Sequence, residues 1–151
     1  MVDNENLSAL ERRLRYSFSD RGLLIRALTH ASYAAEHPSA EDQEALAFVG
    51  DAVVSLVVAE HVFGLEPGAA VGRLTPLRAE VVADEALARW AARLELGAVL
   101  RLGRGAEQEG GRQTSSILAT TLEAVLGALY LETGLDAVRG VVGRLAGWPR
   151  A

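Results

Sequence analysis

The sequence contains no cysteine and no lysine, and aromatic residues make up only 5% of its 151 residues. Without cysteine, disulfides and thiolate metal sites are excluded. No apolar run is long enough to cross a bilayer without meeting a charged residue. The first residues, MVDNENLSALERR, are too acidic and polar for a secretory signal peptide. These absences predict a cytoplasmic protein that does not enter a membrane.

The chain has a net charge of −5. Its fifteen positively charged side chains are all arginines. A negative protein attracts phosphates poorly at long range, which argues against indiscriminate binding of nucleic acid but leaves a local basic surface possible. Half of the residues are apolar and 23% are charged. This balance and length are typical of one globular domain with a true core, spanning residues 1–151.

The spacing of apolar residues is helical almost throughout, so an all-α fold is predicted. Ser8 and Glu11 have capping-box spacing, and Thr75-Pro76 has the pattern of a cap followed by a first helical residue. Residues 30–42 are expected to form a connection, and 103–112 a glycine-rich loop. Helices are predicted over 8–15, 20–29, 40–63, 75–83, 84–94, 115–133 and 136–146.

Two of these helices are apolar on nearly all sides and each carries a carboxylate, Asp51 in the first and Glu123 in the second. Helices of this kind are surrounded by protein, so we expect the two to pack together at the centre. A buried carboxylate must be neutralised, paired or bound to a metal. Two readings stay open here: each acid meets an arginine or caps a helix, or both hold a hard divalent cation such as Mg²⁺.

Helical spacing indicates which neighbours would share such a site. Positions 44, 47 and 51 lie on one helix face, and 120 and 123 are one turn apart on the other. Acids at all five positions would form a dense cluster. The chain has Glu44, Asp51 and Glu123, but Ala47 and Thr120 at the other two.

The stretch EALAFVGDAVV resembles the signature of the ribonuclease III family, usually N-E-R-L-E-F-L-G-D-x-x-L. The resemblance continues in order through LTHASY, RLTPLRAEVVADEALARWA and LGRGAEQEGGR to SILATTLEAVLGALYLETG, covering about residues 8–146. It implies an all-helical endonuclease domain that forms a two-fold dimer and cuts double-stranded RNA with Mg²⁺ or Mn²⁺. By the same resemblance, Asp51 and Glu123 match family metal ligands, and Glu44 matches an outer acid.

Where the family has a glutamate and an aspartate, this chain has Ala47 and Thr120. A methyl group cannot bind a metal, and a neutral hydroxyl binds one poorly, so metal affinity should fall by a few kcal/mol per lost ligand. The first hypothesis is therefore a pseudoenzyme that binds double-stranded or structured RNA, or a ribonucleoprotein. The alternatives are an active Mg²⁺-dependent endoribonuclease in RNA (rRNA) processing, and a protein–protein dimer module without an RNA role.

Other positions gain roles from the same resemblance. Phe48 matches an aromatic that inserts into the other subunit, although core packing would also explain it. Arg101, Arg104 and Arg112 flank the glycine-rich loop and are candidates for RNA contact, or solvated surface arginines. His30 and Ser32 are expected to form hydrogen bonds at a helix end, and Trp90 to lie in the core. No double-stranded-RNA-binding domain is expected after residue 146.

Overall fold

The computed structural model describes residues 2–149, and within them the regular structure is helical apart from an isolated bridge between Thr29 and Arg101. The predicted all-α fold is confirmed. A short 3-10 helix covers Gly111–Gln113. The helices are α1 Asn4–Leu14, α2 Arg21–Ala27, α3 Ala31–Glu36, α4 Glu44–Leu65, α5 Val71–Val81, α6 Asp84–Arg93, α7 Leu96–Val99, α8 Arg104–Gln108, α9 Ser115–Thr133 and α10 Leu135–Ala146.

The two apolar helices, α4 and α9, form the centre of the fold and make its most extensive helix–helix contact, as predicted. They cross at glycine. A Cβ atom on Gly50 would clash with the carbonyl oxygen of Glu123, and one on Gly127 would clash with the carbonyl oxygen of Leu46. The backbones are therefore in direct contact at the crossing. This close approach fixes how α4 and α9 present their side chains to each other.

The remaining helices complete a single core around this pair. Helix α6 covers α9 and contributes Trp90, which is buried as predicted, and α10 covers both central helices with Val138 and Val142. After α10, Trp148 folds back and stacks on His61 of α4, with ring centroids 3.7 Å apart. The burial of His61 lowers its pKa below the ordinary value for histidine.

Helix α4 is long and apolar enough to cross a membrane by length and composition, and it alone passes that test among residues 2–149. The run is nevertheless interrupted by Asp51 and Glu60, and one face of the helix is buried against α9 and α10. The core helix of a water-soluble domain has the same properties. The sequence-based expectation that the protein does not enter a membrane stays a prediction.

Three predicted helix starts are wrong. Helix α4 begins at Glu44 and not at residue 40, because the backbone N–H of Gln43 donates to the carbonyl of Thr29 at 2.8 Å and holds the preceding segment outside the helix. Helix α1 begins at Asn4, because Asp3 caps it by accepting a hydrogen bond from the backbone N–H of Asn6 at 2.8 Å. Glu11 does not complete a capping box with Ser8, because its carboxylate is buried in tertiary contacts. Helix α5 begins at Val71, so Pro76 lies inside it. Proline is tolerated at this point of an exposed helix at the loss of one backbone hydrogen bond.

Two predicted loops are partly helical. Within residues 30–42, α3 forms because the Nδ1 atom of His30 accepts a hydrogen bond from the N–H of Ser32 at 3.1 Å, the helix-end role expected for this pair. Within residues 103–112, α8 begins where the Glu36 carboxylate accepts from the N–H of Arg104 at 2.7 Å. Both helices depend on contacts between distant segments, which local composition does not reveal.

Candidate functional site

The crossing of α4 and α9 brings Asp51 and Glu123 together. Asp51 follows Gly50 directly, and Gly50 touches the backbone of Glu123, so the two carboxylates leave the crossing side by side. The Glu123 side chain is partly buried, whereas Asp51 is exposed to solvent. The convergence predicted from the sequence is therefore present, and one acid of the pair is open to an external ligand.

The ionisation of Glu123 is strongly perturbed. Its pKa is raised to about 8, first by burial, then by a hydrogen bond with Asp51, and further by the negative charges of Asp51 and Asp84. Burial and like charge both disfavour the ionised carboxylate. At neutral pH most molecules therefore carry a protonated Glu123 beside Asp51.

Of the two alternatives left open by the sequence, the one in which each acid meets an arginine is not supported. Within residues 2–149, the ion pairs of the arginine side chains do not include Asp51 or Glu123. Of the three ways to accommodate a buried carboxylate, the fold favours neutralisation of Glu123, whose raised pKa favours its protonated form. The pair is thus compatible with folding when no cation is bound.

The other three positions of the predicted cluster contribute less. Ala47 is buried and supplies no donor atom, and Thr120 is partly buried with a neutral hydroxyl. Glu44 is the exposed first residue of α4, with its N–H bonded to the Asp42 side chain at 3.0 Å. In the described part of the chain, no three acidic or histidine side chains form a group able to hold a metal ion. Glu44 therefore does not join the pair.

The donor set at the crossing offers two carboxylates to a divalent cation. Asp51 and Glu123 would hold it, and water or substrate oxygens would have to supply the other positions, which is common for Mg²⁺. Binding would also have to displace the proton from Glu123, because a metal ligand must be deprotonated. The residues do not fit a closed site built from protein ligands alone.

Two residues near this crossing were not assigned a role from the sequence. Asp84, the first residue of α6, faces the pair closely enough to raise the pKa of Glu123. Gln43 is buried and donates from its side-chain amide to the carbonyl of Ala27 at 2.8 Å and to the hydroxyl of Thr121 at 3.2 Å. Nothing in the local sequence signals the burial of Gln43, because it lies between Asp42 and Glu44 in a polar stretch. Its bonds satisfy the amide, which needs partners once it is buried.

The three candidate RNA-binding arginines differ in whether their side chains already bond to other parts of the protein. Arg112 is engaged with the carbonyls of Gly97 and Leu100 at 2.9 and 2.8 Å and with Glu107. Arg101 donates to Thr29 at 3.0 Å and its guanidinium lies over the Tyr33 ring. The Arg104 side chain is exposed and forms no hydrogen bond or ion pair within residues 2–149. The guanidinium of Arg104 is therefore available to bind a phosphate.

An exposed apolar surface lies on the outer side of the same two helices. Phe48 is 82% exposed, so the core-packing interpretation of this residue is wrong. It borders a groove of about 830 Å³ between α4 and the end of α9. We call this groove the α4–α9 groove; its lining includes Phe48, Val49, Ala52, Leu56, Tyr130, Leu131 and Leu135.

Comparisons with known proteins agree with this architecture. Residues 20–146 match the family model described as Ribonuclease-III-like. Ribonuclease 3 of Streptomyces coelicolor is 51% identical over 136 residues, covering 90% of this chain and 49% of the relative. Ribonuclease 3 of Caldanaerobacter subterraneus subsp. tengcongensis is 45% identical over 137 residues, covering 90% of this chain and 60% of the relative. This chain thus spans about half to three-fifths of the length of these relatives.

Solved structures give the same result. The nuclease domain of ribonuclease III from Campylobacter jejuni superimposes with a TM-score of 0.86 at 39% identity, covering 92% of this chain and 94% of that one. That structure is described as showing structural flexibility in a region involved in dimer formation. A second structure of that domain, a crystal structure, matches with a TM-score of 0.86 at 37% identity. The chain belongs to the ribonuclease III family and has the fold of its nuclease domain.

Proposed function

We propose that this protein is a ribonuclease III-family domain that binds double-stranded or structured RNA as a two-fold homodimer and cleaves it weakly or not at all. The observation that carries this proposal is the donor set at the α4–α9 crossing, where Asp51 and Glu123 form a hydrogen-bonded pair and positions 47 and 120 hold Ala47 and Thr120. A divalent ion, when bound, would polarise a phosphate and activate water. With two carboxylate ligands, the affinity for that ion is low.

RNA binding is supported by family membership and by the free guanidinium of Arg104. With a net charge of −5, the attraction between this protein and RNA has little long-range contribution. Binding should therefore be modest and should weaken steeply with salt, because it depends on a few local phosphate contacts. The RNA, or an RNA-containing particle, is expected to meet the molecule on the face that carries Arg104.

The homodimer is supported by the α4–α9 groove. An exposed phenylalanine beside an apolar groove is costly in water and gains burial when the same surface of a second copy meets it. The Campylobacter jejuni nuclease domain is likewise described as having a region involved in dimer formation. In a two-fold dimer, Phe48 of each copy would contact the groove of the other.

The competing hypothesis of an active Mg²⁺-dependent endoribonuclease, for example in rRNA processing, is favoured by one observation. Asp51 and Glu123 are held together by direct backbone contact, so the remaining half of the site is well positioned. RNA phosphates could supply further oxygens to an ion held there. The third hypothesis, a protein–protein module, predicts no shift of duplex RNA in a gel at low salt.

The test is incubation of the purified protein with labelled duplex RNA across a series of Mg²⁺ and Mn²⁺ concentrations. We expect RNA to be bound and to stay largely intact. Cleavage of most of the RNA at low millimolar metal, abolished by both Asp51→Asn and Glu123→Gln, would establish the active enzyme and overturn our proposal. Native gels of the same mixtures without added metal measure RNA binding separately from cleavage.

Restoring the two missing acids, by Ala47→Glu with Thr120→Asp, should increase Mn²⁺ affinity by a few kcal/mol per restored ligand. Calorimetry measures that gain, and cleavage assays show whether activity returns. A matched control is Ala45→Glu with Thr133→Asp, which adds the same charges at exposed positions of α4 and α9. Equal metal affinity in the two double variants would show that positions 47 and 120 do not belong to the site.

A further inference from the structure

A second polar site lies away from the acid pair, where α1 ends and α2 begins. It is a depression of about 350 Å³, and its lining includes Ser8, Glu11, Arg12, Arg15, Tyr16 and Arg21. None of these residues lines the α4–α9 groove. Three arginines stand against one glutamate, so the depression is positive on a protein whose net charge is negative. Such a place attracts anions locally.

One side of this depression is rigidly built. Glu11 is more than nine-tenths buried, and its carboxylate accepts from the N–H of Phe18 at 2.6 Å and from the guanidinium of Arg21 at 2.6 Å. The same guanidinium nitrogen donates to the hydroxyl of Ser8 at 2.9 Å. Arg21 is therefore held in place by its neighbours, and its other N–H groups are available. Fixed donors of this kind bind oxyanions without losing side-chain entropy.

The other two guanidiniums are not engaged. The side chains of Arg12 and Arg15 are exposed, and within residues 2–149 neither forms a hydrogen bond or an ion pair. The neighbouring Arg13 differs, since it is paired with Glu95 at 2.5 Å. The depression is therefore lined by two guanidiniums without partners in the described residues, those of Arg12 and Arg15, and by that of Arg21, which is held in place.

The backbone of Arg15 adds an independent observation. Arg15 ends α1 in the left-handed conformation, with φ 57° and ψ 37°, where glycine is strongly preferred. A side chain there costs stability, and such costs often accompany function. Next to Arg15, the hydroxyl of Tyr16 is bonded to Glu132 of α9 at 2.5 Å, which anchors this turn to the central helices.

We propose that this depression binds a phosphate group, held by the guanidiniums of Arg12, Arg15 and Arg21. Arginine forks match phosphate oxygens in geometry as well as charge, and the hydroxyl of Ser8 can donate to a further oxygen. The phosphate can belong to the backbone of an RNA or can be free in solution. The inference does not depend on RNA binding at the acid pair, because free phosphate tests it alone.

The experiment is calorimetric titration of the intact protein at low salt, with inorganic phosphate in one arm and a short duplex RNA in the other. Saturable phosphate binding is expected, and Arg12→Gln or Arg15→Gly should each weaken it by about tenfold. Arg15→Gly should also raise the melting temperature, because glycine relieves the left-handed conformation. A variant that is more stable yet binds more weakly separates loss of a ligand contact from loss of folding.

Two controls match these changes. Arg89→Gln removes one exposed positive charge from α6, outside the depression, and Glu95→Gly relieves the other left-handed residue that is not glycine. Both should retain phosphate binding. Weaker binding of both ligands by the Arg12 and Arg15 variants identifies an RNA phosphodiester, and weaker binding of phosphate alone identifies free phosphate. No saturable phosphate binding, or an equal loss in Arg89→Gln, would overturn the proposal.

Discussion

Glu123 is the single residue whose ionisation most affects this protein. Its carboxyl has an ordinary pKa of 4.5, and burial beside Asp51 raises the pKa to about 8 in the folded state. Between these two values the folded state binds more protons than the unfolded state, so folding stability falls as the pH rises. The destabilisation is absent below pH 4.5 and complete above pH 8.

Glu123→Gln should remove this pH dependence while preserving a donor to Asp51. We expect the variant to match the parent protein near pH 4.5 and to be more stable by about 1–3 kcal/mol at pH 8, a range that allows for partial exposure of the group. Urea unfolding at several pH values measures the difference. The control Glu109→Gln removes an exposed carboxylate elsewhere; a constant difference across pH would show that Glu123 ionises normally.

Helices α4 and α9 determine the site because they meet at glycine. The contact between the backbones of Gly50 and Glu123 leaves no room for a methyl group. The same contact sets the distance between Asp51 and its partner acid. At the scale of the element, stability and site geometry therefore depend on one crossing point.

Gly50→Ala should destabilise the fold by about 3 kcal/mol or more, because the new methyl group must push the two helices apart. The matched control is Gly64→Ala, also in α4, where a Cβ atom would meet open space. That change should stabilise the protein by up to about 1 kcal/mol, since alanine favours a helix over glycine. Thermal unfolding measures both, and similar melting temperatures for the two variants would contradict the close crossing.

The whole molecule has an apolar outer surface on the same helices that hold the acids. In the proposed homodimer, Phe48 of each copy is buried in the α4–α9 groove of the other. Assembly and site are thus coupled, because Phe48 and Asp51 lie one turn apart on α4.

Phe48→Glu should shift the protein from dimer to monomer, because a charge would have to be buried at the centre of the contact. The control Leu65→Glu places the same charge at another exposed apolar residue, outside the groove. Sedimentation velocity over a range of concentrations distinguishes the two. A Phe48→Glu protein that stays dimeric would place the interface elsewhere.

Much of this architecture could be predicted from the order of residues. The apolar runs around Asp51 and Glu123 predicted that the two helices would pack together at the centre, which is confirmed. The prediction that protein surrounds both is wrong for α4, where Phe48 and Phe63 are exposed. The packing was predictable because burial and helical periodicity are local properties of a sequence. The starts of α1 and α5 were misplaced because competing caps and an exposed proline are chosen by context.

Only the tertiary structure decided how the two acids are accommodated. Sequence spacing left open an arginine partner, a cation or a proton. The glycine crossing brings Asp51 against Glu123 and raises the pKa of Glu123 to about 8, and within residues 2–149 neither acid is ion-paired with an arginine. The same holds for the arginines. Which guanidinium is free, as in Arg15, and which is engaged, as in Arg112, depends on segments far apart in the chain. Charge and burial follow from composition, but partners follow from three-dimensional proximity.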